Sequence, residues 1–241
     1  LTNDIFFMFG LNSRKLKHVV HGTQFYFMPE NILNFHLTKN DDLLKISPNF
    51  IHVISKFYCK DERYIAGPAM RYQYLFKNKY DDKSEKFLVV MPYLKSDAYY
   101  VINYLIGCDF IKKSDFILKF HPDNSDYFIK KEKNLLKEFL LWENNFSNLF
   151  YPIIIGTGSG LLVEKMMLGS FIILIKSTDG VTTNPLPDQM ACSNYAIVGV
   201  REEFRQKISE MKNKLFLETH SLEEVIECER DQKILSKFMI K

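Results

Sequence analysis

The chain has 241 residues, 46% hydrophobic content and a formal net charge of +3. This is enough apolar material for a substantial core in one large domain or two modest ones. The charges are interspersed along the chain, so the composition does not predict a nucleic-acid partner. The four cysteines form no CxxC pair and no histidine shows metal-ligand spacing. We therefore expect neither a disulfide framework nor a metal site.

No apolar run approaches the roughly 20 residues that a membrane-spanning helix needs. The opening LTNDIFFMFG lacks the cationic flank and cleavage-like site of a signal peptide. These features and the unpaired cysteines lead us to expect a cytoplasmic protein. The first residue is Leu1 rather than methionine, which suggests a fragment or a trimmed chain, so a partner domain could lie upstream.

The first eighty residues contain the short apolar segments DIFFMFG, LKHVVHG and FIHVISKFY, which predict buried strands of one α/β unit. His21 ends the second segment and is followed by glycine, so it could act as a general base, donate to a phosphate or simply belong to the core. Arg71 follows the turn of Gly67 and Pro68 and could reach an anion. The polar stretch NKYDDKSE at 78–85 is the predicted linker.

From residue 86 onward, strand and helix patterns alternate, which predicts a doubly wound parallel sheet. KFLVVMPY predicts a strand, the next segment an amphipathic helix capped by Ser96 or Asp97, and DFILKFHP a second strand. A polar helix is predicted over residues 125–145. After the glycine-rich segment come the strands FIILI and YAIVGV, and then two charged helices separated near His220 and Ser221.

The segment YPIIIGTGSGLLVEKMMLGSFIILI predicts a buried strand, a glycine-rich turn, a helix that closes at Gly169 and a second strand. Gly156, Gly158 and Gly160 would let an anion approach the backbone amides at the helix start. The spacing is GxGxG rather than GxGxxG, which argues against a nicotinamide or flavin cofactor. A purely structural turn is the alternative to a phosphate site.

His121 and Pro122 directly follow a predicted strand. In a parallel sheet this places the imidazole at the same edge as the glycine-rich turn, so both can face one ligand. The alternative is a histidine that only caps a turn.

The order of these motifs is more specific than any one of them. HGT, then GP followed by an arginine, then HP, then the glycine and serine turn leading into LLVEKMMLG resembles GT-B glycosyltransferases over about residues 19–175. More narrowly, the pattern is similar to bacterial enzymes of surface-polysaccharide synthesis that use cytidine-activated donors. These are the sialyl and Kdo transferases and the teichoic acid glycerophosphotransferases.

The resemblance implies an α/β, GT-B-like fold of two Rossmann-like domains with parallel sheets, the N-terminal one incomplete. The expected domains are a partial acceptor-side domain at 1–80, a nucleotide-donor-binding domain at 86–200 and helices at 201–241 that pack across both. His121 and Pro122 would hold the cytidine nucleotide, Glu164 its ribose, and His21 would be the catalytic base. Arg71 is a further contact for a phosphate or the acceptor. The phosphate would be cradled by the turn residues Gly156, Thr157, Gly158, Ser159 and Gly160.

The implied function is metal-independent transfer of a sugar from a CMP-sugar donor to a surface glycan or lipid-linked glycan, such as capsule or lipopolysaccharide, with no cofactor. Peripheral association with the inner face of the plasma membrane stays open. The turn GTGSG departs from the TDYSS-like sequence of the glycerophosphotransferases, which counts against CDP-glycerol-type polyol phosphate transfer. That activity, a nucleotide-sugar epimerase of the same fold and a non-catalytic nucleotide-binding module remain as alternatives.

Overall fold

The computed structural model describes residues 82–143, 146–147, 149–176, 186 and 194–213, together with the backbone of three short strands at 21–23, 50–53 and 64–66. The Cα positions divide the chain into two compact units. One unit comprises Leu1–Phe76 and Leu222–Lys241, and the other comprises Lys77–Ser221.

The first unit contains a sheet of three parallel strands. They are β1 (His21–Thr23), β2 (Phe50–Val53) and β3 (Tyr64–Ala66), arranged in the order β1-β2-β3. Parallel strands need crossover connections, as in an α/β unit. The strand predicted at FIHVISKFY is confirmed at FIHV, His21 lies in β1, and β3 precedes the predicted turn of Gly67 and Pro68. The predicted strand DIFFMFG lies outside the described residues.

The second unit is built on a six-stranded parallel sheet. Its strands are β5 (Phe87–Val90), β6 (Phe116–Lys119), β7 (Leu140–Leu141), β9 (Ile153–Gly156), β10 (Phe171–Ile175) and β11 (Tyr195–Val198). Their spatial order is β11-β10-β9-β5-β6-β7. The predicted strands FLVV, FILK, III, FIILI and YAIV are confirmed. The four inner strands are almost completely buried, so their continuous apolar runs reflect a sheet that is covered on both faces, whereas Ile197 of the edge strand β11 is exposed.

Helices follow the strands of this sheet. They are α1 (Lys95–Ile106), α2 (Pro122–Lys131), α3 (Lys133–Leu136), α4 (Gly160–Met167) and α5 (Arg201–Asn213), with a short 3₁₀ turn at Lys113–Asp115. One sheet face packs against α1 and α5, where Val89, Ile155 and Ile173 share a core with Ile102 and Phe204. The opposite face carries α4. The alternation of side chains along each strand decides which residues meet which helix.

A two-residue strand, β4 (Asp82–Lys83), pairs in parallel with β8 (Leu149–Phe150). The Ser84 amide extends this pairing by donating to the Phe150 carbonyl at 2.7 Å. The segment predicted as a linker at 78–85 therefore contains a strand.

Two predicted helix boundaries are wrong. Helix α1 begins at Lys95 after the N-cap Leu94, which provides no side-chain cap, so Ser96 and Asp97 lie in its first turn. The predicted helix at 125–145 is instead α2, α3 and the edge strand β7. The apolar residues of β7 continue the spacing of α3, and for this reason the helical pattern runs past its true end.

The predicted end of α4 at Gly169 is confirmed and has a clear cause. Gly169 has a φ of 94°, a conformation that glycine adopts without a Cβ penalty. Its amide donates to the Met166 carbonyl at 2.9 Å, and the Ser170 amide donates to the Lys165 carbonyl at 3.0 Å. This is a Schellman motif, which satisfies the last carbonyls of the helix.

Among the described helices, none is both long and apolar enough to cross a membrane.

We predict that Gly156→Ala destabilises the second unit. A Cβ at this position would lie 3.0 Å from both Leu162 methyl groups and 3.1 Å from the Val90 carbonyl oxygen. Overpacking of this kind typically costs about 1–3 kcal/mol of unfolding free energy, measurable by urea denaturation. Because Leu162 causes most of the clash, the cost should be smaller in a Leu162→Ala background. An equal cost in both backgrounds would contradict this explanation.

Candidate functional site

The strand order creates a topological switch point between β5 and β9. Numbered along the chain, the six strands have the order 3-2-1-4-5-6 when read from the β7 edge. In sheets of this order, the crevice between the first and fourth strands, at their carboxyl ends, is where ligands bind. Here that crevice lies between the turn after Val90 and the turn after Gly156, two residues that are paired in register.

The β6 turn lies one strand further along the same edge. Val90 is paired in register with Lys119 as well, so His121 follows β6 close to the crevice. Gly156 and Lys119 are separated by two strand spacings, which amounts to about 10 Å. The sheet therefore brings the glycine-rich turn and His121 to one edge, at a separation that a single nucleotide can bridge.

The glycine-rich turn leads into the start of α4. Ser159 is the N-cap, and its hydroxyl oxygen accepts from the Leu161 amide at 3.4 Å. Its hydroxyl proton stays available for a ligand. Among the described residues, no heavy atom other than those of the chain neighbours and the helix backbone lies within 4 Å of the position that a Gly160 Cβ would occupy. The helix start is thus open to an approaching anion, which its amides and dipole would favour.

Thr157 provides a second hydroxyl in this turn. The residue is only 7% exposed and directly follows the last residue of β9. Its hydroxyl can donate a hydrogen bond to a ligand oxygen. Gly156 differs from its neighbours: it is the buried last residue of β9 and packs against Leu162. Gly158 is exposed.

His121 is the N-cap of α2. Its Nδ1 accepts from the Asp123 amide at 3.3 Å, and Pro122 is the first residue of the helix. His121 therefore does cap a helix, which was the alternative to a ligand-binding role considered in the sequence analysis. Capping does not occupy the whole ring, because an accepting Nδ1 places the proton on Nε2 in the neutral tautomer. The side chain is 42% exposed, so Nε2 can donate to a ligand.

Two lysines that the sequence analysis did not single out share the sheet face that carries α4. The Lys119 ammonium lies 4.1 Å from the centre of the Trp142 ring, and burial lowers the pKa of Lys119. Burial also lowers the pKa of Lys165 on α4; the charge of Lys119 adds to this effect and Glu164 opposes it. Glu164 itself is half-buried on α4. The sequence signal that could have identified Lys119 is its position in LKFHP, two residues before His121.

Not every predicted site residue can be placed. His21 belongs to the other compact unit, where only the backbone of β1 is described, so its role as a base stays a prediction. Arg71 lies outside the described residues. In the described ranges, no cluster of three or more His, Cys, Asp or Glu side chains could hold a metal ion.

A cavity of about 1190 Å³ opens at the opposite edge of the sheet, where Phe87, Ile153 and Phe171 begin their strands. Its size alone would make it a candidate site. However, it faces the amino ends of the strands, away from the helix starts and from His121. We favour the carboxyl edge because strand order, open amides and two hydroxyls converge there.

Comparison with known proteins supports the fold. No protein-family profile and no curated protein sequence matches the chain. Its structure is similar to that of UDP-GlcNAc 2-epimerase from Methanocaldococcus jannaschii in complex with UDP-GlcNAc and UDP, with a TM-score of 0.50 and 14% identity. The similarity covers 80% of this chain and 61% of the epimerase. This chain therefore matches less than two thirds of that enzyme's length.

A second similar structure is the wall teichoic acid polymerase TagF with CDPG. It shares 15% identity over 68% of this chain and 47% of the polymerase, with a TM-score of 0.35. At 14% identity, the similarity to the epimerase shows the fold and does not show a shared activity. The similarity to the epimerase confirms the predicted fold class, which is α/β and GT-B-like with parallel sheets.

We predict that Gly160→Ala weakens anion binding at the start of α4 without destabilising the protein. Within the described part of the chain the added methyl group meets no neighbouring side chain, and a Cβ at the first helical residue tilts toward the helix N-terminus, where the anion would approach. Losing one charge-assisted hydrogen bond, worth about 1.5–3 kcal/mol, weakens binding by roughly tenfold to a hundredfold. Calorimetric titration with CMP measures the affinity, and thermal unfolding measures the stability.

Gly199→Ala is the matched control, since its Cβ would make only an ordinary contact at 3.8 Å with Glu203. If Gly160→Ala binds CMP as tightly as this control does, the α4 start is not the anion site.

Proposed function

We propose that this protein is a GT-B-like glycosyltransferase that transfers a sugar from a CMP-sugar donor to a surface glycan acceptor. The observation that carries the proposal is the open start of α4 at the switch point, with the Thr157 and Ser159 hydroxyls beside it and His121 one strand beyond β5. The cytidine preference comes from the sequence resemblance of the HP and HGT motifs.

The proposed site suits the charge that develops during transfer. The bond between the anomeric carbon and the phosphate oxygen breaks, and its electron pair leaves with CMP. The α4 amides and the two hydroxyls would stabilise this growing negative charge, and His121 would donate from Nε2. In this proposal these groups make a metal unnecessary.

The acceptor hydroxyl must lose its proton as the new bond forms to the anomeric carbon. We assign this step to His21, in agreement with the HGT resemblance, and the proton would pass to its imidazole. Pro122 would start α2 at the nucleotide, Glu164 would hold the ribose, and Arg71 would contact a phosphate or the acceptor. The domains proposed from the sequence, at 1–80, 86–200 and 201–241, would supply the acceptor side, the donor side and the helices packed across them.

A thermal-shift panel of nucleotides tests the donor class. Ligand at 100 times Kd stabilises the native state by about 2.7 kcal/mol, which raises the Tm of a chain this size by roughly 5–10 °C. We expect CMP and CDP to raise the Tm more than UDP does. Equal shifts for all three would rule out a cytidine preference, and no shift with any of them would contradict the proposed nucleotide site.

His121 variants then separate capping from binding. His121→Ala should abolish the CMP-induced shift, but it also removes the N-cap of α2. His121→Asn is the better variant, because asparagine caps helices well and has no imidazole. We expect it to retain the ligand-free Tm and to lose the CMP-induced shift. If it retains the shift, His121 serves the helix and not the nucleotide.

The alternatives predict different products. An epimerase would bind UDP-GlcNAc in preference to CMP-sugars, and a polyol phosphate transferase would release CMP from CDP-glycerol. A non-catalytic module would bind CMP but release none from CMP-sialic acid or CMP-Kdo. Release of CMP from either CMP-sugar is the outcome that the proposed transferase requires.

A further inference from the structure

Tyr93 lies in the turn between β5 and α1, at the switch point, and the sequence analysis did not identify it. It is 59% exposed. Its ring nevertheless contacts the His121 ring edge-on, with the ring centroids 4.9 Å apart and the planes at 90°. This is a favourable geometry for an aromatic pair. An exposed aromatic ring is therefore held against the histidine of the proposed nucleotide site.

Asn124 links the same two turns from inside the protein. It lies in the first turn of α2 and is only 7% exposed. Its side-chain amide donates to the backbone carbonyl of Tyr93, 31 residues earlier in the chain. A buried amide needs such a partner, and here the partner is the turn that carries the aromatic ring. The hydrogen bond thus fixes the Tyr93 backbone relative to the start of α2.

These contacts constrain the orientation of His121. The second torsion of a histidine side chain is soft and roughly two-fold, so the ring has no strong intrinsic preference between flipped orientations. The Asp123 amide selects the orientation that presents Nδ1 to the helix, and the Tyr93 ring packs against the imidazole. The remaining nitrogen, Nε2, is then directed away from the helix amide.

We infer that Tyr93 and Asn124 are positioning residues, which hold His121 in the orientation that presents Nε2–H to the nucleotide. This rests on the proposed function, in which His121 contacts the bound nucleotide. Tyr93 acts through its ring and Asn124 through the turn that carries the ring. Neither residue needs to touch the ligand.

The decisive variants are Tyr93→Ala and Tyr93→Phe. Tyr93→Ala removes the ring and should weaken CMP binding roughly threefold to tenfold, the range that one aromatic pair contributes. Tyr93→Phe keeps the ring and should retain the wild-type affinity. Val200→Ala is the control, since Val200 is equally exposed at 59%. It follows β11, the outermost strand on the side of the sheet away from β6. Because Tyr93 is exposed, we expect its variants to fold.

A second readout reports on His121 directly. In the ligand-free protein, the ¹⁵N chemical shifts of the His121 ring report whether Nδ1 or Nε2 carries the proton. We expect a single Nε2–H tautomer in the wild type and in Tyr93→Phe, and a mixture of tautomers in Tyr93→Ala. Asn124→Ala should also produce a mixture, and the double variant should weaken CMP binding less than the sum of the two single effects.

The outcomes separate this inference from the proposed function. If wild-type protein binds no nucleotide, the proposed function fails, yet the ¹⁵N measurement still tests the positioning of the imidazole. If Tyr93→Ala binds CMP like the wild type, or weakens binding while the His121 signals stay unchanged, the positioning role is overturned. In the second case Tyr93 would contact the ligand itself.

Discussion

The pairing of β5 with β9 is the constraint on which the rest of the second unit depends. Because Val90 lies beside Gly156 in a parallel register, the turns after these residues open at the same edge and form the switch point. Gly156 has no side chain, so Leu162 of α4 can pack directly over the strand end. The helix therefore starts close to the sheet edge, with its first amides pointing into the crevice.

Ser159 and His121 each have an observed capping role that is compatible with the binding role proposed for them. Ser159 caps α4 and His121 caps α2, each through one acceptor atom. Each retains a proton that capping does not use, on the serine oxygen and on Nε2. Capping fixes the position of these donors at no further entropic cost, which is the preorganisation that a binding site requires. The structural explanation and the functional one are thus compatible.

The sequence was a good guide to the central strands and a poorer one to what surrounds them. Runs such as FIILI and FILK predict buried strands because β-branched and aromatic residues without alternation fit a sheet that is covered on both faces. The edge strand β7 was missed because Leu140 continues the helical spacing of Leu136. The start of α2 was placed three residues late, although Pro122 after a capping histidine is a recognisable helix start.

Long-range contacts were beyond any local pattern. The hydrogen bond from Asn124 to Tyr93 joins two turns that are separated by a helix and a strand, and no spacing rule predicts it. The effect of the Lys119 charge on the pKa of Lys165 is equally beyond a local pattern, because it depends on the strand order that brings β6 near α4. Sequence motifs therefore identified turns that lie at one edge of the sheet, whereas the strand order and side-chain contacts were needed to say how they meet.

Chemical-shift mapping of backbone amides during titration with CMP tests the central claim most directly, because it reports where a nucleotide binds without assuming a reaction. We expect the largest changes at Gly158, Gly160 and Leu161 in the glycine-rich turn and at Asp123 beside His121. Changes confined to the edge where the strands begin, around Phe87, Ile153 and Phe171 in the large cavity, would contradict binding at the glycine-rich turn.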